Sequence, residues 1–272
     1  MYNLELFLLL CLGLIFGSFI NALVYRFKYN SIKKNISKLS MISGRSICPN
    51  CKHLLGVLDL IPLLSWICLR GKCRYCHKSI SWQYPLVELV SALLFIFSFI
   101  YWKAGFDLSG YIQFGMWLLI LTLLIALAVY DLRWKILPTK IIYMIYPLVI
   151  INDLIVIITS RDYGLILDYL LGFLVLGGLF YLLFQTSSGK WIGGGDVRLG
   201  FLLGLLLKGP LLVLLLLFIA SVLGTLFALP FLSIGKMNKT SKIPFGPFLI
   251  IATIIVFLFG SRILAWYKGL IV

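Results

Sequence analysis

The sequence predicts an all-helical membrane protein that crosses a bilayer about eight times. Of its 272 residues, 62% are hydrophobic and only 12% are charged. A water-soluble domain of this length could not bury so much apolar surface. The apolar residues also fall into long runs, and a helix needs about 20 such residues to span a hydrocarbon core roughly 30 Å thick. These two observations define the fold class.

Seven runs reach this length in chain order. They lie at about residues 4–25, 85–102, 111–130, 139–159, 165–185, 209–233 and 247–266. An eighth and shorter run, at about 197–208, is expected to cross at least part of the bilayer. The first run has no basic segment before it and no convincing cleavage site after it, so we interpret it as a retained helix and not as a secretory signal.

The Lys and Arg residues predict the orientation of these crossings. With the N-terminus outside, the segments 26–85, 131–140, 186–198 and 234–246 lie in the cytoplasm and hold 11, 3, 2 and 3 of the 24 Lys and Arg residues. The opposite orientation would leave most basic loops outside, against the positive-inside rule. We therefore attribute the net charge of +15 to membrane topology, and we expect no nucleic-acid partner.

The long polar stretch between the first two crossings predicts a small cytoplasmic domain. The expected organisation is a first transmembrane helix at 1–25, a cytoplasmic four-cysteine domain at 26–84 and a transmembrane core at 85–272. Its cysteines form two Cys-x-x-Cys pairs, Cys48 with Cys51 and Cys73 with Cys76. The 21 residues between the pairs suit a four-thiolate zinc knuckle, in which the metal stabilises a domain too small to build its own core.

Three other roles for these cysteines compete with zinc binding. Structural disulfides are disfavoured in a reducing compartment, and a thiol redox pair would leave the match between the two pairs unexplained. The segment from Cys73 to His77 also fits a c-type haem attachment motif. That chemistry requires the other side of the membrane and does not account for the first pair.

Two acids stand out in this apolar chain. Asp131 follows the run that ends at Tyr130, and Asp196 follows the glycines Gly193-Gly194-Gly195, which permit a tight turn and close approach of a substrate backbone. Acids beside hydrocarbon are costly and are functional candidates by default. The orientation derived from the basic residues brings both to the cytoplasmic face.

A pair of nearby carboxylates predicts aspartic peptidase chemistry. Two such groups do not both ionise easily, so one keeps a proton while the other activates a water molecule. The alternative is a non-catalytic membrane protein with a zinc knuckle, such as a transporter or an assembly factor, in which the acids are structural or carry ions. Charge and spacing alone leave both readings open.

An ordered set of motifs resembles the bacterial type IV prepilin peptidases, aspartic peptidases of the GxGD class, over nearly the whole chain. The matching segments are Gly17-Ser18-Phe19-Ile20-Asn21, Cys48-Pro49-Asn50-Cys51, Ile61-Pro62-Leu63-Leu64-Ser65-Trp66, Cys73-Arg74-Tyr75-Cys76, Tyr84-Pro85-Leu86-Val87-Glu88, Asp131 with Pro138, Gly193-Gly194-Gly195-Asp196-Val197-Arg198 and Ile243-Pro244-Phe245-Gly246-Pro247. Arg198 stands where many members of the family have Lys, and the charge is kept.

The resemblance implies an enzyme of the bacterial plasma membrane. Such peptidases cleave the basic leader from prepilins and pseudopilins at the cytoplasmic face, after a glycine and before a hydrophobic helix. Asp131 and Asp196 match the catalytic pair, Gly193 and Gly195 match the supporting loop, and the four cysteines match the region associated with a second activity. That activity is N-methylation of the new N-terminus by S-adenosylmethionine, for which Glu88 is a candidate binding residue.

Overall fold

A computed structural model describes residues 2–32, 45–102, 104–233 and 243–271. Within these ranges the secondary structure is nine α-helices, one 3-10 turn and two isolated β-bridges, without an extended strand. The all-helical prediction is confirmed. Residues 33–44 of the predicted cytoplasmic domain and 234–242 of the last predicted cytoplasmic loop lie outside the described ranges.

Seven helices are long and apolar enough to cross a membrane. Their positions match the seven full-length runs of the sequence. They are α1 (Tyr2–Ile32), α3 (Gln83–Ile100), α4 (Leu108–Trp134), α5 (Thr139–Ser160), α6 (Leu165–Thr186), α8 (Pro210–Ser233) and α9 (Gly246–Ile271). The short eighth run forms α7 (Gly194–Leu206), whose 13 residues extend about 20 Å and so fall short of a full hydrocarbon core.

The chain divides into two compact units, Met1–Ile100 and Tyr101–Val272. In the first unit, α1 packs against α3 through two glycines one helical turn apart. A Cβ atom on Gly13 would lie 2.5 Å from the Cα of Ala92, and one on Gly17 would lie 2.5 Å from the Cα of Glu88. Only glycine permits this approach, as is common where helices associate in lipid.

The polar segment between α1 and α3 contains the 3-10 turn Val57–Asp59 and the short helix α2 (Leu64–Cys68). On either side of these elements lie the two β-bridges, Ile47 with Leu54 and Lys72 with Ser79. Each bridge closes a small turn around one Cys-x-x-Cys pair. The cysteines are therefore held in two similar hairpins.

The second unit is a bundle of α4 to α9. Glycines again set the closest contacts: the backbones of Gly172 in α6 and Gly204 in α7 face each other, and Gly200 faces Phe180. Between α4 and α9, Trp117 and Phe257 stack with their ring centroids 3.8 Å apart. The glycine contacts fix α7 against α6, and the stacked rings fix α9 against α4. Such close-packed contacts tolerate little displacement of either helix.

Candidate active site and metal centre

Asp131 lies in the last turn of α4, one residue beyond the end of the predicted run, and the helix continues to Trp134. Lys135 adopts a left-handed conformation with φ of 53° and ends the helix there, and its amide donates to the Asp131 carbonyl at 2.7 Å. The Asp131 side chain is buried. A carboxylate thus sits inside the bundle, at the point where the chain leaves α4.

Gly246, the first residue of α9, lies against the carboxylate of Asp131. The backbone amide of Gly246 is a hydrogen-bond partner of the Asp131 carboxylate. A Cβ atom on Gly246 would lie 2.6 Å from Oδ2 of Asp131. Glycine is required here because any side chain would occupy the space of the carboxylate.

Asp196 lies in the first turn of α7, after an extended Gly193 that caps the helix. The Gly193 amide is a hydrogen-bond partner of the Asp196 carboxylate. A Cβ atom on Gly193 would lie 3.3 Å from Oδ2 of Asp196. Burial raises the pKa of Asp196 above its ordinary value, and these amide contacts oppose the shift. The predicted glycine loop therefore wraps the carboxylate.

The structure brings the two acids into one site. A Cβ atom on Gly195, beside Asp196, would lie 3.0 Å from Cβ of Leu137, while one on Gly246, beside Asp131, would lie 3.3 Å from Cδ2 of the same leucine. The two carboxylates are close enough to interact electrostatically. The ends of α4, α7 and α9 thus converge around Leu137.

Two hydrogen bonds brace the helix that carries Asp196. The Tyr146 hydroxyl donates to the Arg198 carbonyl at 3.2 Å, and Nη1 of Arg198 donates to the Thr139 hydroxyl at 3.0 Å. Both join the first turns of α7 to α5. Sequence reasoning assigned no role to Tyr146, Thr139 or Leu137, and it placed Gly246 in a motif without linking it to Asp131.

The four cysteines predicted to bind metal lie together. All four sulfur atoms lie within 4.8 Å of one another, and the sulfurs of Cys48 and Cys76 are 3.9 Å apart. Four thiolates around a tetrahedral Zn²⁺ at 2.3 Å would be separated by about 3.8 Å. The arrangement therefore fits a single ion held by both hairpins.

The hairpins repeat one geometry. The Cys48 amide donates to the His53 carbonyl and the Cys73 amide to the Lys78 carbonyl, while Lys52 and His77 occupy the same left-handed position in each turn. The 3-10 turn joins the second hairpin through Asp59, which binds Nε of Arg74 at 2.6 Å. This ion pair uses the only acid in the described part of the domain.

The thiols titrate unevenly in this cluster. Desolvation raises the pKa of Cys48, but the hydrogen bonds to its sulfur, among them those from the amides of Cys51 and Asn50, together have a larger and opposite effect. The net result is a pKa lowered to about 7. For Cys51, a hydrogen bond from the His53 amide lowers the pKa, while burial and the neighbouring sulfurs of Cys48 and Cys76 raise it, to about 11. Crowded thiols share protons in this way, and a cation among them would let all four ionise.

Glu88 lies in α3, buried where the first unit's polar segment meets its helices. Its Oε2 accepts a hydrogen bond from the Leu63 amide at 2.8 Å, and the Ser18 hydroxyl is a second partner. One turn away, Asn21 donates to the Tyr84 carbonyl at 3.1 Å and accepts from Gln83 at 3.3 Å. A polar cluster therefore crosses between α1 and α3.

Comparison with family models identifies two matching regions. Residues 11–102 match the bacterial peptidase A24 N-terminal domain, and residues 118–229 match the type IV leader peptidase family. The first match contains the four cysteines and Glu88, and the second contains both aspartates. No solved structure matches the chain.

Curated relatives match across almost the full length. The chain is 31% identical to the prepilin leader peptidase/N-methyltransferase of Stutzerimonas stutzeri, over 95% of this chain and 92% of the relative. It is 31% identical to the protein of the same name from Bacillus subtilis, over 96% of each chain, and 34% identical to that of Dickeya chrysanthemi, over 90% of this chain and 89% of the relative. The chain therefore belongs to the type IV leader peptidase family.

Proposed function

We propose that the protein is an aspartic endopeptidase of the bacterial plasma membrane that removes the basic leader from type IV prepilins and pseudopilins, after a glycine. The observation that carries this proposal is the convergence of Asp131 and Asp196 around Leu137. The relatives' names support the substrate class. Neither the fold nor the comparisons favour the alternative of a transporter or assembly factor.

The chemistry follows from the placement of the two acids. One carboxyl group keeps its proton and polarises the carbonyl of the scissile peptide, while the other, ionised, takes a proton from the attacking water. The two carboxyls interact electrostatically, so they compete for a single proton. The pair titrates as a unit, so the two roles exchange as the proton moves between them.

The position of the site suits a substrate that is part helix and part basic leader. Asp131 lies at the end of a membrane-spanning helix, and Asp196 begins the short α7. With the N-terminus outside, both acids and the cysteine hairpins face the cytoplasm, where a cationic leader would lie near the headgroups. The hydrophobic segment of the prepilin would stay in the bilayer.

We assign Zn²⁺ to Cys48, Cys51, Cys73 and Cys76. Its role is structural, because four protein ligands leave no open position for substrate or water. The ion would hold the two hairpins together in a domain whose described part has little buried apolar core.

We also propose that the protein methylates the new N-terminus and that Glu88 serves this reaction. When bound, S-adenosylmethionine would supply the methyl group. A buried carboxylate suits a positively charged ligand, and both the donor's sulfonium and the substrate's ammonium are cations. Asn21 and Gln83, one helical turn away, add amide groups that could orient a polar ligand.

Isosteric amide substitutions test the peptidase. Asp131→Asn and Asp196→Asn should each abolish cleavage of a prepilin by the purified enzyme, because one amide removes either the proton donor or the base. Asp153→Asn is the matched control, since Asp153 is a buried acid of α5 outside the site, and it should leave cleavage unchanged. Near wild-type cleavage by either variant of the pair would remove that acid from the mechanism.

A further inference from the structure

The cytoplasmic part of the first unit exposes large apolar side chains that no residue in the described part of that unit covers. We name Val57, Leu58, Leu64, Ile67 and Trp82 the apolar ridge. Val57 is 83% exposed, Trp82 is 72% exposed and the other three are at least 60% exposed. Leu64 and Ile67 are three residues apart on α2 and share one face, and α2 packs beside the 3-10 turn that carries Val57 and Leu58.

The ridge is fixed next to a membrane-spanning helix. Trp82 immediately precedes α3, and the centroid of its ring lies 4.2 Å from the ring centroid of Trp66 in α2. The Trp66 indole donates to the Ile80 carbonyl at 3.3 Å. Thus α2 is held against the residues that lead into α3.

The length of α3 and a hydrogen bond to Glu88 indicate that the ridge lies at the bilayer surface. α3 has only 18 residues, about 27 Å, so all of it is needed to cross a core of roughly 30 Å and its first residue must lie at the boundary of the hydrocarbon. Glu88 lies five residues further on, about 8 Å along the axis. Because Leu63 donates to Glu88 at 2.8 Å, the segment just before α2 descends to the level of the first turns of α3.

The charge around the ridge is that of a surface that meets anionic lipid. Residues 45–82 contain six Lys and Arg residues and one acid, Asp59, and that acid is neutralised by Arg74. Apolar and Trp side chains beside a basic surface are typical of segments that lie in the membrane interface. Juxtamembrane basic residues gain from anionic headgroups at this level.

We propose that the apolar ridge inserts into the cytoplasmic leaflet and holds the cysteine domain in the plane of the membrane, as a monotopic anchor between α1 and α3. The occupant of the ridge is the acyl and headgroup boundary of an anionic bilayer. This inference concerns the first unit alone and does not depend on the peptidase or the methyltransferase activity. It predicts that the domain contacts lipid directly and does not project into the cytosol.

Depth-dependent quenching in the full-length protein tests the proposal. A fluorescent non-canonical amino acid, which avoids the metal-binding thiols, would replace Leu58, Leu64 or, as the matched control, the exposed Lys52 of the first hairpin. The variants would be placed in nanodiscs of phosphatidylcholine and phosphatidylglycerol with a nitroxide near the top of the acyl chain. Zinc content equal to wild type would show that each variant keeps its hairpins.

The expected result is blue-shifted emission and loss of most fluorescence at positions 58 and 64, with little quenching at 52. Equal quenching at all three positions would overturn the proposal. A photoreactive amino acid at position 64 gives a second readout: adducts with lipid support the anchor. Cross-links to residues 101–272 or to an added prepilin, in place of lipid, would overturn it and assign the ridge to protein contact.

Discussion

Gly246→Ala should slow the peptidase by about 100-fold without unfolding it. The new Cβ would stand 2.6 Å from Oδ2 of Asp131. Carbon and oxygen need about 3.4 Å, so the carboxylate must move by roughly 0.8 Å. The carboxylate belongs to the last turn of α4 and is buried, so it cannot move without losing its place beside Asp196.

A displacement of about 1 Å can reduce a rate by about 100-fold, which corresponds to roughly 2.7 kcal/mol of transition-state stabilisation. The assay is cleavage of a purified prepilin in detergent, with kcat and KM measured separately. We expect the loss in kcat, because the substitution displaces a proposed catalytic group and adds only one methyl group elsewhere in the site. The melting temperature should stay close to that of wild type.

Gly224→Ala is the matched control. Gly224 lies in α8 and faces Phe248 of α9, but its new Cβ would lie 3.8 Å from the nearest atom, an ordinary contact. This variant should cleave at the wild-type rate. If Gly246→Ala were as active as Gly224→Ala, the carboxylate of Asp131 would not be held where the reaction requires it, and the argument for its position would fail.

Three further results are expected from the same structure. Replacing Cys48 and Cys51 with Ser should release one zinc ion per chain and make the first unit sensitive to protease; wild-type protein without zinc by metal analysis would remove the assignment. Glu88→Gln should reduce methylation of the product while cleavage persists, and full methylation by this variant would exclude Glu88 from the donor site. Because burial raises the pKa of Asp196, the folded state holds this proton more tightly than the unfolded state, so the contribution of Asp196 to stability should fall as pH rises above the ordinary value of 3.8. Melting curves from pH 4 upward should show that Asp196→Asn loses this part of the pH dependence, and an unchanged dependence would contradict the burial argument.

The sequence predicts the helices well because lipid imposes a simple rule on them. A span needs about 20 apolar residues, and its backbone must satisfy its own hydrogen bonds. The ends follow less simple rules. α4 continues to Trp134 and ends where Lys135 adopts a left-handed conformation. Its last turn contains charged residues, so the apolar pattern does not predict it.

The candidate site could be predicted only in part for a similar reason. Asp131, Asp196 and the cysteines are chemically distinctive in an apolar chain, so composition and spacing single them out. Leu137 and Gly246 are not distinctive, and their importance depends on how α9 packs against α4 and α7. The contact between Glu88 and the Leu63 amide likewise joins residues 25 positions apart, which no local pattern indicates.

The proposed reaction is cleavage of a prepilin by two carboxylates in one site. Its most direct test is intact-mass spectrometry of a prepilin incubated with the purified enzyme, with and without S-adenosylmethionine, alongside Asp131→Asn and Asp196→Asn. We expect loss of the leader mass with the wild-type enzyme, one added methyl group only when the donor is present, and an intact substrate with either variant. An intact substrate with zinc-loaded wild-type enzyme, or leader removal by either variant, would contradict it.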